Sequence, residues 1–510
     1  IDTEINQQIQ MTKHLFIDNH EIEDIWNLAR KIHQPEKFHA NTIIRPEHRW
    51  ENMYVRMWGG PVWDPSEELF KIIYLGTAAQ DISALGTGAA VTLDETGASG
   101  TSGNYSCYAT SEDGVNWEKP FIGLYEYDGK LWDKSPIGTD NNIIPSINGH
   151  IRGPVYHATE PDPNRRFKAQ IYRDKALYAA ASPDCIHWEE LDEIPPHESL
   201  DVSELYYDET EDLFISTIKH RTYYGRSFFL STSKDFENWT EQELIFHADQ
   251  TDQENGFERL QKFFDDDRYL TPVRNRPEEW RTDIYHFPVF RYEDMYLALP
   301  TMHHWAGKHP PLYENVDSRK SVELASSRDL HNWHRVANRA PFMELSPIGE
   351  GRYDTGAIGA TNGVIRRNDE LWFYCMGSKQ RSLPIADALN FGYLDSSAIS
   401  MARLRLDGFV SLKGGIEWGR VTTKPIEVTG AQLHINTDSW RGRVKTEILD
   451  SESMDPIPGY TEDDSIATNI DSIDEVARWQ DKRDLTGLRG KTVRLRFHLW
   501  QAELYSFWTE

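Results

Sequence analysis

Cysteine is nearly missing from this chain: three residues in 510, Cys107, Cys185 and Cys375, an odd number with no CxxC pair. That excludes a disulfide framework and a zinc ribbon, and the three read as ordinary buried thiols. Long apolar runs are missing too. None approaches the roughly 20 residues that span a bilayer, so no membrane partner is expected. Basic residues are scarce beside acidic ones, 54 Lys and Arg against 82 Asp and Glu, for a net charge of −28. Nucleic acid is therefore disfavoured as a partner, because phosphate binding needs a basic footprint. The chain starts at Ile1 with no basic-plus-apolar leader, which is compatible with a mature exported form, periplasmic or secreted.

Rings, by contrast, are plentiful. With 17 Trp, 23 Tyr and 21 Phe the chain is far too aromatic for a disordered polymer, and it folds around a large core. The strongest pattern is an internal repeat. Ser111-x-Asp113-x-x-x-Trp117, Ser182-x-Asp184-x-x-x-Trp188, Ser233-x-Asp235-x-x-x-Trp239 and Ser327-x-Asp329-x-x-x-Trp333 share one spacing, and each follows a strand-like run. Ser and Asp can bond turn amides while Trp opens the next strand, which is hairpin chemistry.

Upstream of each motif lie two further strand-like runs joined by an acidic turn, so the unit has four strands. A fifth unit follows over 357–415, its hairpin reduced to Leu406-Asp407-Gly408-Phe409. Five four-stranded sheets predict an all-β, five-bladed β-propeller over 50–415. Residues 1–49 are expected to form a strap on its outside, with a short helix at Glu21 to Lys31. Residues 416–510 alternate in short strands and predict a small antiparallel β-sandwich. Its residues Trp440, Trp479, Trp500 and Trp508 are assigned a structural role.

These hairpins resemble those of the five-bladed β-propeller glycosidases, the β-fructosidase and arabinofuranosidase/xylosidase superfamily. The stretch from His33-Gln-Pro35 through Asn41-Thr-Ile-Ile to Trp50-Glu51 is also similar to uncharacterised bacterial relatives of those enzymes, which carry a C-terminal sandwich. The resemblance implies a central pocket of three carboxylates from the innermost strands. This sequence departs from that pattern. The first unit enters through Arg56-Met-Trp58 and offers only Glu51 upstream, and the second enters through Arg152 and ends in His157 without an acid. The third supplies Asp201 and Glu204, and Glu204 is the expected general acid.

Strand ends facing the same mouth also carry Lys219-His220-Arg221, Tyr223, Arg274, Arg276, Arg281, Asp283, Tyr285, His303-His304-Trp305 and Asp354, a basic enclave on an acidic protein. Arginine forks bind carboxylate or sulfate, and Trp58 and Trp305 can stack on sugar faces. Of His303 and His304, alternation allows one to point inward. The run His303, His304, His309 lacks a zinc spacing, and no loop motif supports a structural calcium, so no cofactor is expected.

Three functions follow as expectations. The first is a glycoside hydrolase acting on an oligosaccharide that contains a uronate or sulfated sugar, with Glu204 as acid and Glu51, Asp201 or Asp354 as its partner. The second is a uronate lyase or dehydratase in which Arg152 clamps the carboxylate. There His157, His303 or His304 takes the proton, and Tyr223 or Tyr285 returns one. The third is a non-catalytic saccharide-binding propeller.

Overall fold

A computed structural model of the chain describes residues 13–79, 102–127, 138–145, 149–191, 196–266, 275–308, 316–379, 381, 394–482 and 484–510. The fold is all-β, with one α-helix, Gln250–Phe264, among the described residues. None of the described helices is long and apolar enough to cross a membrane. All three cysteines are free and buried.

Antiparallel sheets follow one another along the chain. The first centres on Leu69–Ala79, flanked by Ser102–Ser111 on one side and by Tyr54–Arg56 and Val62–Asp64 on the other. The second runs His150–Tyr156, Phe167–Arg173, Ala176–Ser182 and Glu189–Glu190; the third runs Ser203–Asp208, Leu213–Thr222, Gly225–Ser233 and Glu243–Phe246. In the next stretch every long strand is bent into two. Arg281–His286, Thr301–Lys308 and Val316–Val322 make one sheet, and Val289–Tyr292, Met295–Ala298, Ala325–Ser327 and His334–Arg335 continue it as another. The last joins Ala357–Arg367, Glu370–Ser378 and Ser397–Arg405 to Glu36–Ile44 from the start of the chain.

The first strands of these sheets meet so closely that only hydrogen fits at the contacts. A Cβ on Gly59 would lie 2.2 Å from Cα of Gly153, and one on Gly60 would lie 2.0 Å from Cα of Gly363. Asn362 donates across to the carbonyl of Leu205 at 2.7 Å. The first sheet thus touches both the second and the last, and the last touches the third.

The repeats fold as their chemistry requires. Asp235 Oδ1 accepts from the amides of Glu237 and Asn238 at 2.9 and 2.7 Å, Ser233 Oγ accepts from Phe236 N at 2.9 Å, and Trp239 Nε1 donates to the Phe236 carbonyl. The other three repeat the Asp and Trp bonds. The residue after each Asp has positive φ: Gly114, Cys185, Phe236 and Leu330, at +77°, +69°, +66° and +68°. Three of these are not glycine. Their side chains are buried, and that packing holds a conformation the residue type alone disfavours.

Three sequence expectations need correction. The Glu21–Lys31 segment is not helical: Ile22–Trp26 and Leu28–Ile32 are strands, separated by Asn27 at φ +52°. Nor does the run after Phe409 complete the last sheet. Val410–Gly414 pairs with Leu28–Ile32 and with Glu503–Thr509, and Glu36–Ile44 takes the place foreseen for it. Within residues 14–44 the chain therefore supplies integral strands of two sheet systems rather than an external strap, since edge strands take whichever partner supplies a matching ladder.

The C-terminal part holds two facing sheets. One contains Leu28–Ile32, Val410–Gly414, Glu503–Thr509, Leu433–Asp438 and Asp471–Val476; the other is built on Thr492–Trp500. Alternate residues of Thr492–Trp500 are buried, and Val493, Leu495, Phe497 and Leu499 join Phe507 and Trp479 in the core. Trp508 is buried as well, whereas Trp440 is 58 % exposed and lies outside this packing.

Candidate functional site

Cross-strand register brings distant residues to one face. In the bent sheet Asp283 sits opposite His303, and His303 sits opposite Lys320, so all three share one side. Thr282, His304 and Arg319 share the other. There Thr282 Oγ1 lies 2.8 Å from His304 Nδ1, and Arg259 of the helix reaches His304 Nε2 at 3.2 Å. His303 therefore faces the charged cluster, and His304 anchors the helix.

Asp283 is the hub of the first face. Its Oδ2 accepts from Arg226 Nη1 at 2.9 Å, and its Oδ1 accepts from His303 Nδ1 at 3.0 Å and Trp305 Nε1 at 3.2 Å. These donors hold the Asp283 carboxyl well below the usual range despite its burial. Burial pushes His303 down to about 3, so its ring is neutral, and its Nε2 has no hydrogen-bond partner.

Tyr285 stands beside this hub, 5.1 Å ring to ring from His303 and 5.2 Å from His286. Lys320 Nζ lies 3.9 Å and Lys219 Nζ 4.5 Å from its ring centre. Lys219 is ion-paired with Asp201 at 2.6 Å. The Asp201 side chain is 51 % exposed, yet protein surrounds it on the scale over which charges act, as on the wall of a recess. Burial raises its carboxyl, but Lys219, Arg152 and Arg226 outweigh that and hold it ionised.

Glu204 lies deeper, 1 % exposed in Ser203–Asp208. Neither of its oxygens has a hydrogen-bond partner, and Nδ1 of His286 is 3.5 Å from Oε1. Burial pushes its carboxyl up to about 8, only partly countered by Arg152. Arg152, from His150–Tyr156, is 3 % exposed, with its guanidinium 3.9 Å from the Trp58 ring centre and 4.7 Å from that of Tyr172.

Other expected residues lie elsewhere. Glu51 is fully buried in the 3-10 turn Arg49–Glu51 that precedes the first sheet, bonded to Lys119 at 2.6 Å and Tyr74 at 2.8 Å and capping the amides of Glu47 and His48. It is structural. His157 sits at the opposite end of its strand from Arg152, about 16 Å along at strand rise, beside Thr159, Glu160 and Asp212. Asp354 is ion-paired with Lys37 of Glu36–Ile44, away from the Asp201–Lys219 pair. Tyr223 is 99 % exposed at a hairpin tip, and Arg221 is exposed beside it. Arg56 packs on Tyr54 and acts electrostatically on Lys320, while Arg281 covers Trp305 at 3.5 Å. Arg274 and His309 lie outside the described residues.

The site thus gathers Glu204, Asp201, Arg152, Trp58, Asp283, Tyr285, His303 and Trp305, together with Arg226, His286 and Lys320, which sequence reasoning missed. Strand parity could have found Lys320, since it shares a face with the residue opposite it. Among the described residues no group of three or more His, Cys, Asp or Glu is placed to hold a metal ion.

No protein-family model matches the chain, and no curated protein is similar to it. Solved structures that it resembles include glycoside hydrolases, related phosphorylases and an N-acetylgalactosamine deacetylase. They include a β-1,2-mannobiose phosphorylase from Listeria innocua (14 % identity, 73 % of this chain and 98 % of that one, TM-score 0.40). A glycosyl hydrolase from Bacteroides ovatus (13 %, 76 % and 97 %, TM-score 0.39) and a GH32 β-fructofuranosidase from Bombyx mori (11 %, 91 % and 93 %, TM-score 0.39) are others. Each is a low-identity resemblance in chain path.

Proposed function

We propose that the chain is a glycoside hydrolase acting on an oligosaccharide that contains an anionic sugar. Its frame is read as a five-bladed propeller, the two bent sheets counting as one blade, with the C-terminal sandwich as an accessory domain. One observation carries the functional reading: two carboxyl groups in one recess are driven in opposite directions, Glu204 up to about 8 and Asp201 well below its ordinary range. Such a split assigns an acid and a base at neutral pH.

In this scheme Glu204 gives its proton to the glycosidic oxygen as the bond from the anomeric carbon breaks. Asp201 either attacks that carbon or draws the proton from a water that does. In both cases water supplies the new hydroxyl and the carboxyl groups regain their starting states. Lys219 keeps Asp201 ionised, and Trp58 and Trp305 offer ring faces. The test is a screen of neutral, uronate-containing and sulfated oligosaccharides for new reducing ends with wild type and Glu204→Gln. Release by wild type that disappears in the variant supports hydrolysis; turnover that survives Glu204→Gln rejects it.

A second reading has one observation behind it. His303 is oriented by Asp283 with Nε2 unpartnered, the arrangement of a general base, which would suit β-elimination from a uronate. An unsaturated uronate product, lost on His303→Ala and kept in Glu204→Gln, would select it. Oligosaccharide binding without any product would select a non-catalytic propeller.

A further inference from the structure

Buried charges are normally paired, because removal from water costs more than a lone charge recovers. Two cations of the recess obey this rule. Lys219 is held by Asp201 at 2.6 Å and Arg226 by Asp283 at 2.9 Å. Two others do not. Arg152 makes no hydrogen bond or ion pair to any described residue, and its Nε and Nη1 are both buried and unpartnered. Lys320, 8 % exposed, lies over the Tyr285 ring with no carboxylate partner among the described residues. Asp201 is the acid that acts most strongly on Arg152, but its carboxylate is already paired with Lys219, and Glu204 keeps its proton.

A further spare donor lies against Arg152. Trp58 Nε1 is also buried and unpartnered, and its ring covers one face of the Arg152 guanidinium while Tyr172 is stacked on it as well. With rings against its faces, the fork can donate only along its edges, the geometry that meets a planar or tetrahedral oxyanion. A neutral hydroxyl would leave both cations without an ion-pair partner.

We infer that Arg152 and Lys320, with the indole N–H of Trp58, form the anchor for one sugar-borne oxyanion, a carboxylate or sulfate ester, in the recess beside Glu204. The anchor rests on the reading of the recess as a saccharide site. Binding is coupled to a proton. Lys320 is held down to about 7, first by burial and then by Arg56, Arg226 and Lys219, with Asp201 opposing and Tyr285 against it. An oxyanion beside it restores its ammonium form, so binding takes up a proton above neutrality and weakens as pH rises.

Calorimetric titration of the full chain with sodium sulfate, sodium D-glucuronate and D-glucose tests this. Sulfate and glucuronate are expected to bind and glucose not to. Glucuronate tighter than sulfate marks a sugar-borne group; sulfate tighter, with glucuronate silent, marks a free inorganic ion and overturns the sugar-borne claim. Arg152→Met and Lys320→Met should each weaken the anion at least tenfold, Arg152→Lys should recover part of the loss, and Lys413→Met in the sandwich should change nothing. Repeating the titration at pH 8 in buffers of different ionisation heat should show proton uptake that Lys320→Met reduces. No anion binding to wild type, or binding untouched in both anchor variants, overturns the anchor. Glu204→Gln keeps anion binding if the anchor is right, whatever its turnover shows about hydrolysis, so the two readings fail separately.

Discussion

Glu204 Oε1 and His286 Nδ1 lie 3.5 Å apart, both buried, and neither has a hydrogen-bond partner. Burial drives each to its uncharged form, Glu204 up to about 8 and His286 well below its ordinary value. Glu204 and His286 are therefore both uncharged, while Asp201 and Asp283 are held ionised. The proton on Glu204 is strongly retained until a developing leaving group draws it away.

The first prediction follows from that retained proton. On the hydrolytic reading kcat falls as pH rises through about 8, where Glu204 ionises. Glu204→Gln should lower kcat by about 10²–10⁴-fold. A carboxyl raised by folding also contributes stability that is lost as pH rises from its unfolded value through the folded one. The amide lacks that loss, so between neutral and alkaline pH the melting temperature of the variant should fall less than that of wild type.

His303 and His304 should separate cleanly. His303→Ala removes a buried donor from Asp283, costs about 1–3 kcal/mol of stability, and should also reduce kcat of the folded enzyme by at least tenfold. His304→Ala loosens the helix through Thr282 and Arg259, costs about 1–3 kcal/mol by denaturant titration, and leaves kcat of the folded enzyme near wild type. The reverse pattern would contradict the face assignment.

Glu51→Gln is expected to act on stability alone. It leaves Lys119, 6 % exposed, without its buried countercharge, a loss of about 3–5 kcal/mol. Chemical denaturation would register it. A large fall in kcat at unchanged stability would return Glu51 to the active site.

At the centre, Gly59→Ala should abolish folding, because the added carbon meets the backbone of Gly153 and neither strand can retreat. Gly487→Ala, where nothing lies within 4 Å, is the matched control and should leave the melting temperature unchanged. Soluble expression and circular dichroism decide.

Much of the frame was legible because its signals are local. Asp235 bonds amides two and three residues ahead, and the spacing of Ser, Asp and Trp states that chemistry in the sequence itself. Alternation marked the strands and the sandwich for the same reason. Glu204 and Asp201 stood out as the acids of an expected inner strand. The unusual backbone of Cys185, Phe236 and Leu330 was not legible, since buried packing rather than residue type sustains it. Nor was the origin of the last sheet's outer strand, which depends on a ladder closed between Ile44 and Ile399.

The amino-acid order alone determined where hairpins form, which runs alternate, and that acids, arginines and rings crowd the strand ends. Tertiary structure decided which charges cancel. Lys37 reaches Asp354 and Lys119 takes Glu51, while Lys219 holds Asp201, and Arg152, Lys320 and the protonated Glu204 are left over. Pairing of this kind acts through space between residues up to 472 positions apart. It follows from register and ring closure, which no local pattern encodes.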